Sequence, residues 1–402
     1  MTSEFDVVIA GGGTVGLTLA LALCQQTELS VAIVEAKIYQ ADQLHPGFDA
    51  RSIALAKHTQ EVLTGLGLDI ADLGTAIQKI KVTDKGFAGQ CWLDAKEQQL
   101  DALGFVVDLH PLGEQLHQLL QQQSPQQLHW FCPDSIESLT QYADKVEISL
   151  QSGAAISAGL LVVADGAKST TASLLKADYQ SDDYHQSAII ANVEMSQPHR
   201  HIAYERFTQK GPLALLPRAG NTCSLVWTVA RDQQQAMLDM PDAQFLTELQ
   251  QAFGYDLGLF KAVSQRYAYP LSLTRACEQP LHRAVLIGNA SHTLHPIAGQ
   301  GFNLGLRDVE VLAYLLAQAC SNKQDCGEFS LLHRYHQARK PDHQRVIGLT
   351  DSLVRIFSNH DFPLVMSRNI GLSLLNAFPS LKSALADQAM GFLSPSISMK
   401  RQ

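Results

Sequence analysis

Two periods of hydrophobicity divide this chain. Asp6 to Ala10 reads as a continuous buried strand, a glycine-rich turn and an apolar helix follow, and a second buried run from Val31 to Val34 closes on Glu35. Strands covered on both faces need apolar residues without alternation, so DVVIAGGGTVGLTLALALCQQTELSVAIVEA predicts a βαβ unit. The stretch DARSIALAKHTQEVLTGLGL then predicts a helix after Arg51, and LLVVADGAKST, Leu160 to Thr170, a buried strand ending at Asp165-Gly166. From about Ser181 to Leu273 the period becomes two, as in HIAYERF, PLALLP and TCSLVWTVA, which predicts an antiparallel sheet. A third buried strand, AVLIGNA (Ala284 to Ala290), runs straight into HPIAGQGFNLGLRD, a proline and bare glycines ahead of a helix. Beyond Asp308 the pattern is helical, and Leu374, Phe378, Leu381 and Leu385 form one apolar stripe.

The chain therefore leaves a nucleotide-binding unit, builds a sheet and returns. The expected fold class is α/β, with a discontinuous Rossmann-like domain from residues 1–75, 102–180 and 276–340. An antiparallel-sheet substrate domain is inserted from residues 76–101 and 181–275, and a helical C-terminal region covers 341–402.

Composition narrows the function classes. With 402 residues, 46% of them hydrophobic, a large core can form. A net charge of −9 and no Lys/Arg block argue against nucleic acid as a partner. Seven scattered cysteines without a CxxC pair read as reduced thiols and not as a disulfide frame or zinc site. MTSEFDVVIA carries no basic leader and no apolar run reaches the roughly 18 residues of a membrane span, so a cytoplasmic location is expected.

Gly11, Gly13 and Gly16 form GxGxxG, whose three glycines allow a tight turn, approach of a pyrophosphate, and close packing of helix on strand. A glycine turn alone requires no ligand. Glu35, at the tip of the second strand, adds an acceptor for two ribose hydroxyls, and its charge opposes a 2′-phosphate there. FAD and NAD both satisfy this unit.

GGGTVG with Glu35, VVADGAKS, and LIGNASHTLHPIAGQGFNLGLRD stand in an order that resembles the FAD-dependent aromatic hydroxylases of the p-hydroxybenzoate hydroxylase type. The resemblance covers nearly the whole chain. HPIAGQGFNLG and YHQARKPDHQRVIGLTDSLVRIFS are similar to the ubiquinone-biosynthesis branch. It implies that the Rossmann-like unit is an FAD-binding domain, with NAD(P)H as co-substrate and O2 as oxidant. The substrate it implies is a lipophilic prenylated phenol.

It also assigns residues. Gly11, Gly13, Gly16, Glu35, Arg51, Asp165, Gly166, Gly288, Asn289, Gln300, Phe302 and Asn303 would hold FAD, while Pro296, Gly299 and Gly301 would position the flavin ring. His292 and His295 are the nearest candidates for a base that ionises the phenol. The third motif usually reads Gly-Asp, and here it is Gly288-Asn289. An arginine common after Asp-Gly is replaced by Ala172, which leaves the nicotinamide contact unassigned.

The C-terminal stripe is expected to pack on the body or a second copy, or to dock on other quinone-biosynthesis proteins or, peripherally, on the inner membrane. A flavin oxidoreductase without oxygen transfer and a non-catalytic flavoprotein scaffold are the competing functions.

Overall fold

A computed structural model describes residues 3–38, 52–123, 126–208, 210–277, 281–296 and 299–357, with short pieces at 382–383, 386–387 and 390–392. Arg51 and the stripe Leu374, Phe378, Leu381 and Leu385 lie outside the described residues.

Five strands run parallel in the first sheet. Ser3–Ala10 pairs with Val31–Val34 on one side and Ala155–Val163 on the other, and Leu128–Phe131 extends the sheet beyond Val31–Val34. Ala155–Val163 divides its far edge. Its first half takes the antiparallel strand Val146–Leu150, and its second half takes Ala284–Leu286 in parallel, with Val162 opposite Val285. The unbroken apolar runs follow from two covered faces: Val7 and Ile9 join the core containing helix Thr14–Gln26, while Val8 and Ala10 join the core behind it.

As a result the ends of Ser3–Ala10, Val31–Val34, Ala155–Val163 and Ala284–Leu286 lie along one edge. Gly11, Glu35, Asp165 and Gly288 follow those four ends. That edge is where open parallel sheets bind ligands.

The nine-stranded second sheet gathers the hairpin Lys79–Asp84/Gln90–Asp94 with strands from Tyr179–Met195 to Tyr267–Ala276, and His292–Thr293 pairs at its margin. One face is covered by helix Asp242–Phe253, with Phe245 against Trp227. The other face meets the first domain through Ala203 and Leu216, which pack with Val106 and Ala54.

Two sequence expectations are corrected. The segment after Arg51 is first a strand, Ser52–Ala56, and only then a helix, Lys57–Gly65. Its register with Gly104–Asp108, Ala54 opposite Val106, overrides local helix propensity. AVLIGNA is a strand only over Ala284–Leu286, because Gly288 turns the chain at φ +56°.

Helix Gln300–Ser321 packs against helix Thr14–Gln26 and against Phe329–Phe357. No helix among the described residues is long and apolar enough to cross a membrane. Of the C-terminal region, Ala386 and Met390 are buried with Cys91, Leu93 and Phe207 of the second sheet. These described pieces pack on the body.

Candidate functional site

The three glycines of the first turn divide their tasks as elementary sterics require. Gly11 sits at φ +108°, and a Cβ there would lie 2.6 Å from the Ala164 carbonyl oxygen. At Gly16 a Cβ would lie 2.1 Å from the Gly11 oxygen, so helix and strand touch through it. Gly13 differs, since among the described residues a Cβ on it would meet nothing within 4 Å. The protein leaves that side open, as approach by a pyrophosphate demands. Gly13 also caps helix Thr14–Gln26 without a side-chain bond or an acid in the first turn, leaving its amide N–H groups to an anion.

Glu35 is tied to this turn. Its Oε2 accepts the Gly12 N–H at 2.6 Å and its Oε1 accepts the Lys37 N–H at 2.9 Å. The carboxylate is thus held in place beside the open turn. Asp165 accepts the Thr171 N–H through Oδ2, while its buried Oδ1 has no partner among the described residues. A buried acceptor left without a donor marks a place for a ligand hydroxyl. Gly166 is open as well.

The second helix mouth repeats the first. Gly299 caps Gln300–Ser321 in a left-handed conformation without a side-chain bond, the first turn holds no acid, and a Cβ on Gly301 would meet nothing within 4 Å. Gly299 by contrast faces Ala54, 3.2 Å from its would-be Cβ, and its N–H donates to the Pro296 carbonyl. Open space at Gly13 and Gly301 together with the unpartnered Asp165 oxygen fits a dinucleotide such as FAD.

Other expected site residues behave differently. Asn303 is 1% exposed, and its amide is spent within the protein: Oδ1 accepts the Ala56 N–H, and Nδ2 donates to the Ala54 and Gly299 carbonyls. It shapes the loop and has no polar atom left for a cofactor. Phe302 packs on the core of the first domain, Gln300 is buried, and Asn289 is exposed beside the Gly288 turn.

The two candidate bases are poor ones. His292 and His295 are each 1% exposed, and burial pushes their ionisation down to about 3 and about 4. Both are neutral at working pH. So weakly basic an imidazole is ill matched to a phenol proton.

His292 belongs instead to a buried network that sequence reading did not find. Asp308, fully buried, accepts the Gly288 N–H at 3.1 Å, Arg339 Nε at 2.7 Å and His343 Nε2 at 2.7 Å, while His292 Nδ1 lies 3.7 Å away. Arg339 and Arg307 share Asp342 Oδ2 at 2.7 and 2.8 Å. Burial alone would raise the Asp308 carboxyl, but His343 and Arg339 hold it well below the usual range. A signal was available: LGLRDVEVL sets three charges inside an apolar helical run, a place where charges must find partners. The network fixes the Gly288 turn to helix Gln300–Ser321 and to helix Phe329–Phe357.

Comparison with known proteins agrees with this geometry. A family model described as an FAD binding domain matches residues 4–350. The chain is 35% identical to the ubiquinone hydroxylase UbiL of Rhodospirillum rubrum over 96% of this chain and 90% of that protein. It is 30% identical to 3-demethoxyubiquinol 3-hydroxylase of Escherichia coli, over 96% and 98% respectively. Among solved structures, p-nitrophenol 4-monooxygenase PnpA of Pseudomonas putida aligns with a TM-score of 0.81 at 17% identity, covering 99% of this chain and all of that one, a likeness of fold.

Proposed function

The chain belongs to the FAD-dependent hydroxylases whose FAD binding domain spans residues 4–350, and from that membership we propose that it hydroxylates the ring of a polyprenylated phenol in ubiquinone biosynthesis. The proposed substrate is of the 2-octaprenyl-6-methoxyphenol type. Near full-length similarity to two hydroxylases named for ubiquinone compounds carries this reading.

FAD, when bound, supplies hydride acceptance from NAD(P)H and activation of O2. The chain's own residues supply place and dryness. Gly13 and Gly301 leave room for the group, Asp165 Oδ1 would accept a hydroxyl of it, and Glu35 would hold its ribose. The helix mouth at Gly299 offers N–H groups and a positive dipole end that would favour negative charge on a flavin held there. The antiparallel sheet packs through Ala203 and Leu216 with Ala54, the residue against Gly299, and a covered site would keep water from an activated oxygen.

The test is incubation of the purified protein with NAD(P)H, 18O2 and a 2-methoxyphenol carrying a short prenyl tail. One 18O atom in the product supports the reading. Oxidation of NAD(P)H with a reduced but unoxygenated product would mark a flavin reductase instead, and no bleaching of bound flavin by NAD(P)H would mark a scaffold. For a substrate dissolved in a bilayer, delivery by peripheral membrane contact or by other proteins of the pathway is part of the same proposal.

A further inference from the structure

Strand Ile202–Thr208 has no solvent face, so its alternation sends side chains into two different interiors. Tyr204 packs outward on Phe253, ring centroids 5.4 Å apart. Ala203 points the other way, into the cluster with Ile77, Val106, Ala54 and Leu216, and Phe207 joins Cys91, Leu93 and Met390. Glu205 falls between Ala203 and Phe207 and shares their face.

That face is apolar around it. Its register neighbours are Ala214 on one strand and Val82 on the other. Ala203, two residues away and hence about 7 Å along the strand, packs in the cluster that includes Ala54. Ala54 is the residue beneath Gly299 of the flavin loop. Glu205 is deeply enclosed, yet keeps part of its surface open, and among the described residues it has no hydrogen-bond or ion-pair partner. A carboxyl left so in an apolar interior costs the fold free energy and returns no contact. Such an expense is characteristic of working groups.

We propose that Glu205 is the catalytic base that takes the ring-hydroxyl proton of the substrate. The proposal rests on the phenol-hydroxylase reading above. The phenolic O–H bond breaks, its proton forms an O–H bond on the Glu205 carboxylate, and the electron pair stays on the ring oxygen. Electron density rises at the ring carbons ortho and para to it, where electrophilic oxygen is delivered. The hydrogen displaced from the attacked carbon leaves as a proton to water, and Glu205 returns its proton to the product oxygen.

Ionisation supports the geometry. Burial pushes Glu205 up to about 7. It is then partly ionised at neutral pH and far closer to a phenol's value of about 10 than an ordinary carboxylate is. The charged groups on the elements around it are otherwise engaged. Lys79 and Lys81 bond Asp94 and Asp256, and Asp108 bonds Arg218. Asp84 is buried on the neighbouring strand with an interaction of its own, and Asp387 follows Ala386. None of these sets the Glu205 shift, which comes from burial.

The experiment compares wild type, Glu205→Gln and Glu205→Asp, each checked for bound FAD, with the short-tailed 2-methoxyphenol as substrate. In Glu205→Gln, product formed per NAD(P)H is expected to fall about a hundredfold, with H2O2 in its place. Wild-type product formation should rise with pH through about 7. Glu205→Gln loses that limb and Glu205→Asp keeps one. A Gln variant with wild-type yield and the same limb overturns the assignment and leaves the hydroxylase reading standing, as does an Asp variant that holds FAD but shows no limb. A wild type that yields no hydroxylated product removes both.

Discussion

Glu35 is bonded to the Gly12 amide and is proposed to hold the ribose, so a change there strikes the turn twice. Glu35→Arg removes the acceptor and sets a large cation against Gly12, where an added Cβ would already lie 3.1 Å from the Glu35 side chain. Loss of one or two charge-assisted hydrogen bonds weakens FAD binding at least about tenfold, read by flavin fluorescence titration. Unchanged affinity would remove Glu35 from the site. Gly301 gives the complementary case. A Cβ there meets only open space, so Gly301→Asp should fold and bind FAD. Its carboxylate at the helix mouth opposes a reduced, negatively charged ring, lowering the reduction potential by roughly 30 mV, about 1.4 kcal/mol for a two-electron couple. A potential at or above wild type contradicts this electrostatic account. Both residues stand out in the sequence, one in a bare turn and one as an acid at a strand end, although neither feature alone requires a ligand. Glu205 does not, because HIAYERF alternates in the same way whether or not both faces of its strand are covered. Asn303 stands as a cofactor residue in the motif and proves to be a clamp on Ser52–Ala56, a strand that local propensity presents as helix.

At the level of elements, the βαβ unit and the return strand could be read from apolar runs, since strands buried on both faces leave no polar residue to mislead. What could not be read is how helix Gln300–Ser321 is held. Asp308 meets Arg339 and His343 from 31 and 35 residues away, and no period connects them. Arg339→Met strands Asp308 and Asp342 as buried charges without their shared cation, at a cost of about 3–5 kcal/mol. A thermal midpoint lower by several degrees and reduced FAD occupancy are expected, because the Gly288 N–H rests on the same carboxylate. A midpoint within a degree of wild type would show that the network bears little weight. The pH dependence has a definite sign. Asp308 ionises lower when folded than when unfolded, so its contribution is complete above about pH 4, the unfolded value, and is lost as pH falls below it. Flavin release on acidification should therefore begin near that pH in wild type, and Arg339→Met should begin releasing flavin at higher pH.

For the whole molecule, the question is what the C-terminal region does. Its apolar stripe suggests a docking surface, which would leave the enzyme intact when residues 371 to 402 are removed. The described pieces of that region point the other way. Lys382 Nζ lies 2.6 Å from Glu97, Met390 and Ala386 are buried beside Phe207 and Leu93, and Gly391 approaches Arg307 and His58. The segment thus touches the inserted sheet and the flavin-loop helix together, and burial of Met390 alone is worth about 1.5–3 kcal/mol. Removing residues 371 to 402 opens the apolar face around Phe207 and uncovers the Arg307–Asp342 pair. The truncated protein should aggregate or lose FAD when purified, and Met390→Lys should reproduce part of that loss by placing a charge in the same cluster. Quinone synthesis in cells falls under either account and so does not separate them. FAD content of the purified truncation does: full occupancy with normal NAD(P)H oxidation would return the region to docking, on lipid, a pathway protein or a second copy.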